Sequence, residues 1–113
     1  MPFINVKTNA SVTEEKMTGI KSRLGQAITA IPGKSENWLM VGIEPEYALW
    51  FKGKADPAAM VEVSIFGSPA SSALSALTGK ITEILNSELG IPAAAVYVKY
   101  DCTDDWGWNG SNF

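Results

Sequence analysis

The sequence has 113 residues, 46% of them hydrophobic, and a formal net charge of −3, which fits one globular domain over residues 1–113. Only nine side chains are Lys or Arg, which argues against nucleic acid as the main partner, because phosphate binding needs clustered basic groups. A single cysteine and the absence of histidine exclude an internal disulfide, a usual zinc site and a Ser-His-Asp triad.

The first segment of the chain predicts a strand followed by a helix. Residues 2–8 alternate between two faces, as a half-buried strand does. Apolar residues at helical spacing then predict a helix over residues 11–31, ended by a Pro-Gly pair. Ser11 and Glu14 have the S-x-x-E spacing of a capping box, so we expect the helix to begin there.

The middle of the chain predicts a second strand over residues 38–43. A short extended piece follows over 48–51, and then a polar loop over 52–57. The pattern restarts with a strand over 58–66 and a helix over 71–89.

The last predicted strand covers residues 95–101, after Gly90 ends the second helix. Strand, helix and strand thus occur twice, in halves of about 2–57 and 58–113, with helix stops at Gly33 and Gly90. The predicted fold is α/β (α+β): a doubled β-α-β unit with a four-stranded mixed sheet, two helices on one face and short extra strands. We expect another copy to cover the opposite sheet face, so the chain should form an oligomer.

The final ten residues, DDWGWNGSNF, combine turn formers with aromatic side chains. They can be a mobile tail, but Trp106, Trp108 and Phe113 are costly to leave in water. We favour a docked, hairpin-like segment at a subunit contact.

Pro2 is the first candidate for chemistry. Without histidine, a base that works near neutral pH must be a carboxylate, a lysine, a tyrosine or the terminal amine. If Met1 is removed, Pro2 becomes a free secondary amine, and burial or nearby cations would lower its pKa from the usual range of about 7.7–8.0. If Met1 remains, Pro2 is an amide and simply a residue tolerated at the start of a strand.

Three further side chains have both a structural and a functional interpretation. Lys34 follows the first helix stop and is either a solvated loop residue or an anchor for a substrate carboxylate. Tyr97 and Lys99 share one face of the last strand, where Tyr97 is either packing or a hydrogen-bonding wall. Lys99 is either an edge charge or an anion anchor.

Several short motifs occur in a specific order along essentially the whole chain. They are Met1-Pro2, Thr8-Asn9, Gly33-Lys34, Phe51 to Pro57, Gly90 to Pro92, Val96 to Val98 and the final W-N-G-S-N-F. Together they resemble the macrophage migration inhibitory factor family of the tautomerase superfamily. The resemblance implies a homotrimer of doubled β-α-β subunits, with an active site at each subunit interface and an amino-terminal proline as base.

The resemblance also implies roles for single residues. Pro2 matches the catalytic proline, and Lys34 matches the lysine that binds a substrate carboxylate. The backbone N–H of Phe66, with Ile65 beside it, matches a substrate contact, and Tyr97 matches a residue from the adjacent subunit. Wall positions fall on Trp106, Trp108 and Phe113. An apolar slot with a cationic end suits an aryl 2-keto acid.

This sequence departs from the family pattern at several of these positions. Some members have asparagine where this chain has Lys99, so a second cation is expected to face the pocket. Phe66 and Trp106 are bulkier than the usual aliphatic residues, from which we expect a preference for planar aromatic substrates. The C-x-x-C pair of some members is replaced by P-A-A-M-V, and Cys102 alone cannot supply dithiol chemistry.

The favoured function is a keto-enol tautomerase, without metal or other cofactor, that acts on phenylpyruvate-like or dopachrome-like aromatic substrates. The alternative is a cytokine-like protein that binds a cell-surface receptor, if it is released, and has only vestigial activity. A third possibility is hydration or decarboxylation chemistry. The first residues lack an export signal, so we expect a cytoplasmic protein with no membrane insertion, or release by a route that needs no signal peptide.

Overall fold

The computed structural model describes residues 1–113 and begins with a strand, a helix and a second strand. Strand β1 covers Pro2–Thr8, helix α1 covers Glu14–Ala27 with a short 3-10 turn over Ile28–Ala30, and strand β2 covers Met40–Glu44. Every second residue of β1 is buried, as the alternation in the sequence predicted. A further 3-10 turn over Glu36–Trp38 precedes β2.

The second half repeats this order. Strand β3 covers Ala59–Phe66, helix α2 covers Ser71–Leu89, and strand β4 covers Val96–Thr103. Helix α2 has the predicted bounds and ends at Gly90, whose φ of 70° is the left-handed conformation that glycine adopts without strain. A two-stranded hairpin of β5 (Gly107–Trp108) and β6 (Ser111–Asn112) ends the chain.

The four long strands form one mixed sheet in the order β2-β1-β3-β4. The central pair β1 and β3 is antiparallel, and each half adds its outer strand in parallel. The helices bury their apolar side chains against one sheet face, in a cluster of 16 buried residues from both halves. The predicted fold class is confirmed. Neither helix has the length and apolar composition needed to cross a bilayer.

The predicted start of α1 is wrong. Thr13, not Ser11, is the N-cap residue, and its hydroxyl oxygen accepts a hydrogen bond from the backbone N–H of Lys16 at 3.2 Å. Val12 packs against the core, which holds the preceding residues outside the helix. Two competent capping residues lie close together here, and tertiary packing selected the second.

Other boundaries differ from the prediction by a few residues. The helix predicted to reach residue 31 ends at Ala27, and its last apolar positions continue as a 3-10 turn. Trp38 belongs to a turn rather than to β2, and the predicted extended piece over 48–51 is irregular except for a single bridge between Phe51 and Lys54. Such short apolar runs have no period that separates strand from loop.

The sheet face opposite the helices is largely polar. Its central rows carry Asn5, Lys7, Glu62 and Lys99, and Lys7 Nζ lies 3.0 Å from Glu62 Oε1. Exposed apolar side chains concentrate near the ends of the sheet and in the loops, as at Met40, Trp50 and Tyr97. Association through this face would therefore use apolar rims around a charged centre.

Candidate active site

Pro2 lies buried at one end of the two central strands, opposite Ile65 in the antiparallel register. With Met1 attached, its nitrogen is an amide, which has no basic lone pair. The carbonyl oxygen of Met1 accepts a hydrogen bond from the backbone N–H of Phe66 at 3.1 Å. Met1 therefore engages the N–H group that the resemblance assigns to the substrate.

Lys34 reaches this end of the sheet from a tight turn. Gly33 has φ 81°, and the Lys34 backbone N–H donates to the carbonyl oxygen of Ile31 at 3.1 Å. Lys34 Nζ donates to the carbonyl oxygen of Phe66 at 2.8 Å and lies 5.9 Å from the centroid of the Phe66 ring. The turn thus places a cation directly beside the amino terminus.

The environment of the amino terminus favours a neutral amine. Burial lowers the pKa of the Met1 amine from its ordinary value, and the charge of Lys34 and a hydrogen bond with its side chain lower it further. An amine at this point of the fold therefore loses its proton more readily than a fully solvated one. That is the property a general base needs near neutral pH.

Four aromatic rings form a continuous chain of contacts that begins at Phe66. Phe66 packs on Phe113 with ring centroids 5.2 Å apart, and Phe113 stacks on Trp108 at 6.3 Å. Trp108 in turn makes an edge contact with Trp38 at 5.3 Å. We call these four side chains the aromatic row. Trp38, Trp108 and Phe113 stay at least half exposed, so they leave apolar surface for a ligand.

The C-terminal hairpin holds the distal part of this row. Asn109 and Gly110 have positive φ angles of 52° and 88°, as in the tight turns that join paired strands. The Phe113 backbone N–H donates to the carbonyl oxygen of Trp106 at 3.0 Å, which closes the base of the hairpin. The predicted hairpin is confirmed, whereas its place at a subunit contact stays a prediction. Trp106 itself is half-buried and makes no ring contact with the row.

Lys34 and Phe66 also line a cavity of about 400 Å³ next to the start of α2. Its polar groups include the side chains of Ser68 and Ser72, and Pro32 contributes to its wall. The volume is in the range of pockets that hold small molecules. Lys34 therefore stands between this cavity and the amino terminus.

Ile65 contributes differently from its neighbour Phe66. Its side chain is fully buried in the core beneath the sheet, where it packs with the helices. Only its backbone is therefore available to a ligand.

Tyr97 lies towards the other end of the sheet, and Lys99 lies near its middle. In the register, Tyr97 is opposite Met60 and Lys99 is opposite Glu62, whereas Pro2 is opposite Ile65. Along β3, the level of Tyr97 is five residues from that of Pro2 and the level of Lys99 is three, or roughly 17 Å and 10 Å at the usual rise per residue. Lys99 faces the charged sheet face and lies 3.7 Å from the carboxylate of Asp101. One chain therefore does not bring Tyr97 to Pro2, and the Lys99 ammonium lies beside Asp101.

Tyr97 belongs to a separate apolar surface. Its ring is 60% exposed and makes an edge contact with the Phe51 ring, the centroids being 5.1 Å apart. A small cavity of about 140 Å³ between them is lined only by apolar residues, among them Leu49, Trp50 and Met60. This surface has the character of a contact region rather than of a solvated strand edge.

Sequence reasoning missed Trp38 as a site residue. It was assigned to the start of β2, yet it lies in the turn just after Lys34 and contacts Trp108. Its position four residues after Lys34, a candidate anchor, was the available signal. Elsewhere, no three His, Cys, Asp or Glu side chains form a cluster that could hold a metal ion, and Cys102 is a free, exposed thiol.

The chain is similar to known proteins over its whole length. A family model described as "Macrophage migration inhibitory factor (MIF)" matches residues 1–113. The macrophage migration inhibitory factor of Rattus norvegicus is 30% identical over 118 aligned positions that cover 100% of this chain and 99% of the relative. That of Xenopus laevis is 28% identical with the same coverage.

Solved structures show the same fold. The crystal structure of Leishmania major MIF2 superposes with a TM-score of 0.93 at 33% identity, and the alignment covers 100% of this chain and 97% of that one. The factor from Trichinella spiralis gives a TM-score of 0.81 at 26% identity, with 98% and 99% covered. This chain therefore belongs to the macrophage migration inhibitory factor family of the tautomerase superfamily.

Proposed function

We propose that this protein is a cofactor-free keto-enol tautomerase whose general base is the amine of Pro2, freed by removal of Met1. The observation that best supports this is the environment of the amino terminus, where burial and Lys34 lower the pKa of an amine. The same effects would act on the Pro2 amine, because it would lie one residue from the present terminus. The family membership independently favours tautomerase chemistry.

The proposed reaction moves one proton and consumes nothing. The neutral Pro2 amine removes a proton from the carbon next to the ketone of a 2-keto acid, and the electron pair moves to the ketone oxygen. Protonated Pro2 then gives the proton to that oxygen, which yields the enol and restores the base. Lys34 would bind the substrate carboxylate, and the Phe66 N–H, released from Met1, would donate to the substrate.

The aromatic row suggests the substrate class. The row begins at Phe66, next to Lys34, and continues into exposed rings, so a ligand with an aryl group and a carboxylate, such as phenylpyruvate, would match both. Dopachrome-like compounds likewise combine a planar ring system with a carboxylate. Turnover of small aliphatic 2-keto acids as fast as phenylpyruvate would contradict this assignment.

The complete site is proposed to form between copies in a homotrimer. Tyr97 is remote from Pro2 within one chain, so a neighbouring copy would have to supply it. The exposed apolar surface around Tyr97 offers a contact region for that neighbour. Measuring the mass of the assembly by light scattering tests the trimer directly.

Pro2→Gly tests the base. Both the parent and the variant are checked by intact mass for loss of Met1, and phenylpyruvate tautomerisation is measured on the same samples. We expect kcat/KM to fall by about 10²-fold or more, in line with the usual contribution of a general base. A processed, folded parent without activity, or a fully active variant, would contradict the proposal.

A receptor-binding role is the second candidate. It is favoured by the full-length similarity to vertebrate proteins named macrophage migration inhibitory factor. Such binding would use the outer surface rather than the pocket, so Pro2→Gly should abolish tautomerisation but leave inhibition of macrophage migration nearly unchanged. Loss of both activities together would indicate that the receptor binds at the catalytic site.

A further inference from the structure

The side chain of Asn9, directly after β1, ties together both ends of the loop over residues 49–58. Asn9 Nδ2 donates to the carbonyl oxygens of Leu49 at 3.1 Å and Asp56 at 2.8 Å, with a longer contact of 3.4 Å to Ala55. Asn9 Oδ1 accepts a hydrogen bond from the backbone N–H of Ala58 at 2.9 Å. Both the amino group and the oxygen of the Asn9 side-chain amide therefore form hydrogen bonds with the loop.

This loop carries the packing partner of Tyr97. Phe51 sits in a narrow turn, in which its backbone exchanges hydrogen bonds of 2.9 and 3.0 Å with Lys54. The Phe51 ring then contacts the edge of the Tyr97 ring, and Leu49 and Ala58 line the apolar cavity beside it. A shift of the loop would therefore move the flank against which Tyr97 packs.

Thr8 holds the adjoining backbone without help from Asn9. Its buried hydroxyl donates to the carbonyl oxygen of Ala58 at 2.8 Å and accepts from the backbone N–H of Ala10 at 3.1 Å. Removing the Asn9 side chain should thus leave the pairing of β1 with β3 in place and mainly loosen the loop. Asn9 is also remote from Pro2, because the two lie at opposite ends of β1, roughly 20 Å apart.

We infer that Asn9 is a positioning residue for Tyr97 and acts in the active site of the neighbouring copy, not in that of its own chain. The inference rests on the proposed function, in which Tyr97 completes a site whose Pro2 belongs to another subunit. Asn9 touches neither substrate nor base. It acts through the loop and Phe51 on the orientation of the Tyr97 ring.

The first measurement compares Asn9→Ala with a matched control. Thr18→Ala removes a side-chain hydrogen bond to a backbone carbonyl, from Thr18 Oγ1 to Glu14 at 3.1 Å, on α1 beside β2 and so at the sheet edge opposite β4. We expect Asn9→Ala to lower kcat/KM for phenylpyruvate about tenfold, mostly through KM, because a displaced wall weakens binding more than proton transfer. Thr18→Ala should leave kcat/KM unchanged.

Mixed trimers then show which subunit Asn9 serves. Pro2→Gly chains and Asn9→Ala chains are unfolded together, mixed in equal amounts and refolded. A site with an intact base from one chain and an intact Asn9 from its neighbour forms at about one quarter of all positions, which predicts about a quarter of the parental kcat/KM. If Asn9 acts within its own chain, only about one twentieth is expected, because every intact base then carries the tenfold defect.

A second pair separates failure of this inference from failure of the proposed function. Pro2→Gly mixed with Tyr97→Ala should also regain about a quarter of the activity if the site is shared between copies. Recovery in this pair without recovery in the Asn9 pair overturns the inference alone. No recovery in either pair overturns the shared site and the inference with it. Should Asn9→Ala fail to fold, Asn9→Asp, which keeps the acceptor for Ala58, replaces it in the same mixtures with the same expected outcomes.

Discussion

The first and second halves of the chain bury their helices with the same spacing of apolar residues. In the first half these residues are Ile20, Leu24 and Ile28, and in the second they are Leu77, Ile81 and Leu85, all fully buried. The same offset in residue number relates the strand starts at Pro2 and Ala59, and also the 3-10 turns at Glu36–Trp38 and Ala93–Ala95. The two halves therefore place equivalent apolar side chains in one shared core.

The halves differ directly after their helices end. Gly33 and Gly90 both adopt positive φ, at 81° and 70°. Lys34 follows the first and reaches the amino terminus, whereas Ile91 follows the second and is fully buried. The proposed base, Pro2, starts the first strand of the first half, whereas Ala59 occupies the equivalent place in the second. The comparison teaches that a repeated scaffold fixes the core positions and leaves the loops free to diverge in chemistry.

Matched core truncations are the strongest test of the shared frame. Leu24→Ala in α1 and Ile81→Ala in α2 each remove a fully buried side chain, and we expect each to lower the free energy of unfolding by about 2–5 kcal/mol. Urea denaturation at one protein concentration measures both. The comparison breaks if one variant is nearly neutral or if unfolding separates into two transitions, because the halves would then not share one core.

Replacing Lys34 tests the difference between the halves. Lys34→Met keeps most of the aliphatic stem, and we expect kcat/KM for phenylpyruvate to fall about 10- to 100-fold through loss of the carboxylate contact. Lys80→Met, which removes the same charge from the exposed side of α2, should have little effect. An unchanged kcat/KM in Lys34→Met would remove this lysine from the site.

The same variant predicts a change in pH dependence. Burial lowers the pKa of the Met1 amine, and Lys34 lowers it further because a neighbouring cation disfavours the protonated form; we expect the same of the proposed Pro2 base. Without Lys34 the pKa rises, so the base is protonated at higher pH and the acidic limb of the kcat/KM profile moves to higher pH. Burial still lowers the pKa in the variant, so the move should be partial.

The helix starts give the smallest contrast. Thr13 caps α1 with its hydroxyl, whereas Ala70 at the start of α2 has no side chain that can cap. Thr13→Ala should cost about 1 kcal/mol of unfolding free energy, and Ala70→Ser should add about 0.5–1 kcal/mol. Thermal and urea unfolding measure both, and equal effects of the same sign would contradict the assigned caps.

Much of the fold could be predicted because strand and helix periods are local properties of the chain. The bounds of α2, its stop at Gly90 and the alternation of β1 follow from side-chain spacing alone. The start of α1 could not be predicted in this way, because Ser11 and Thr13 are both able to cap and the packing of Val12 decides between them.

The candidate site, like the fold, could be predicted from the sequence only in part. The sequence by itself determined that histidine chemistry is absent, that Pro2 and Lys34 are candidates and that the chain ends in an aromatic hairpin. The tertiary structure alone decided that Lys34 lies beside the amino terminus, that Trp38 joins the aromatic row and that Tyr97 is remote from Pro2. Periodicity encodes which face a side chain takes, whereas these distances depend on strand order and register between segments far apart in the chain.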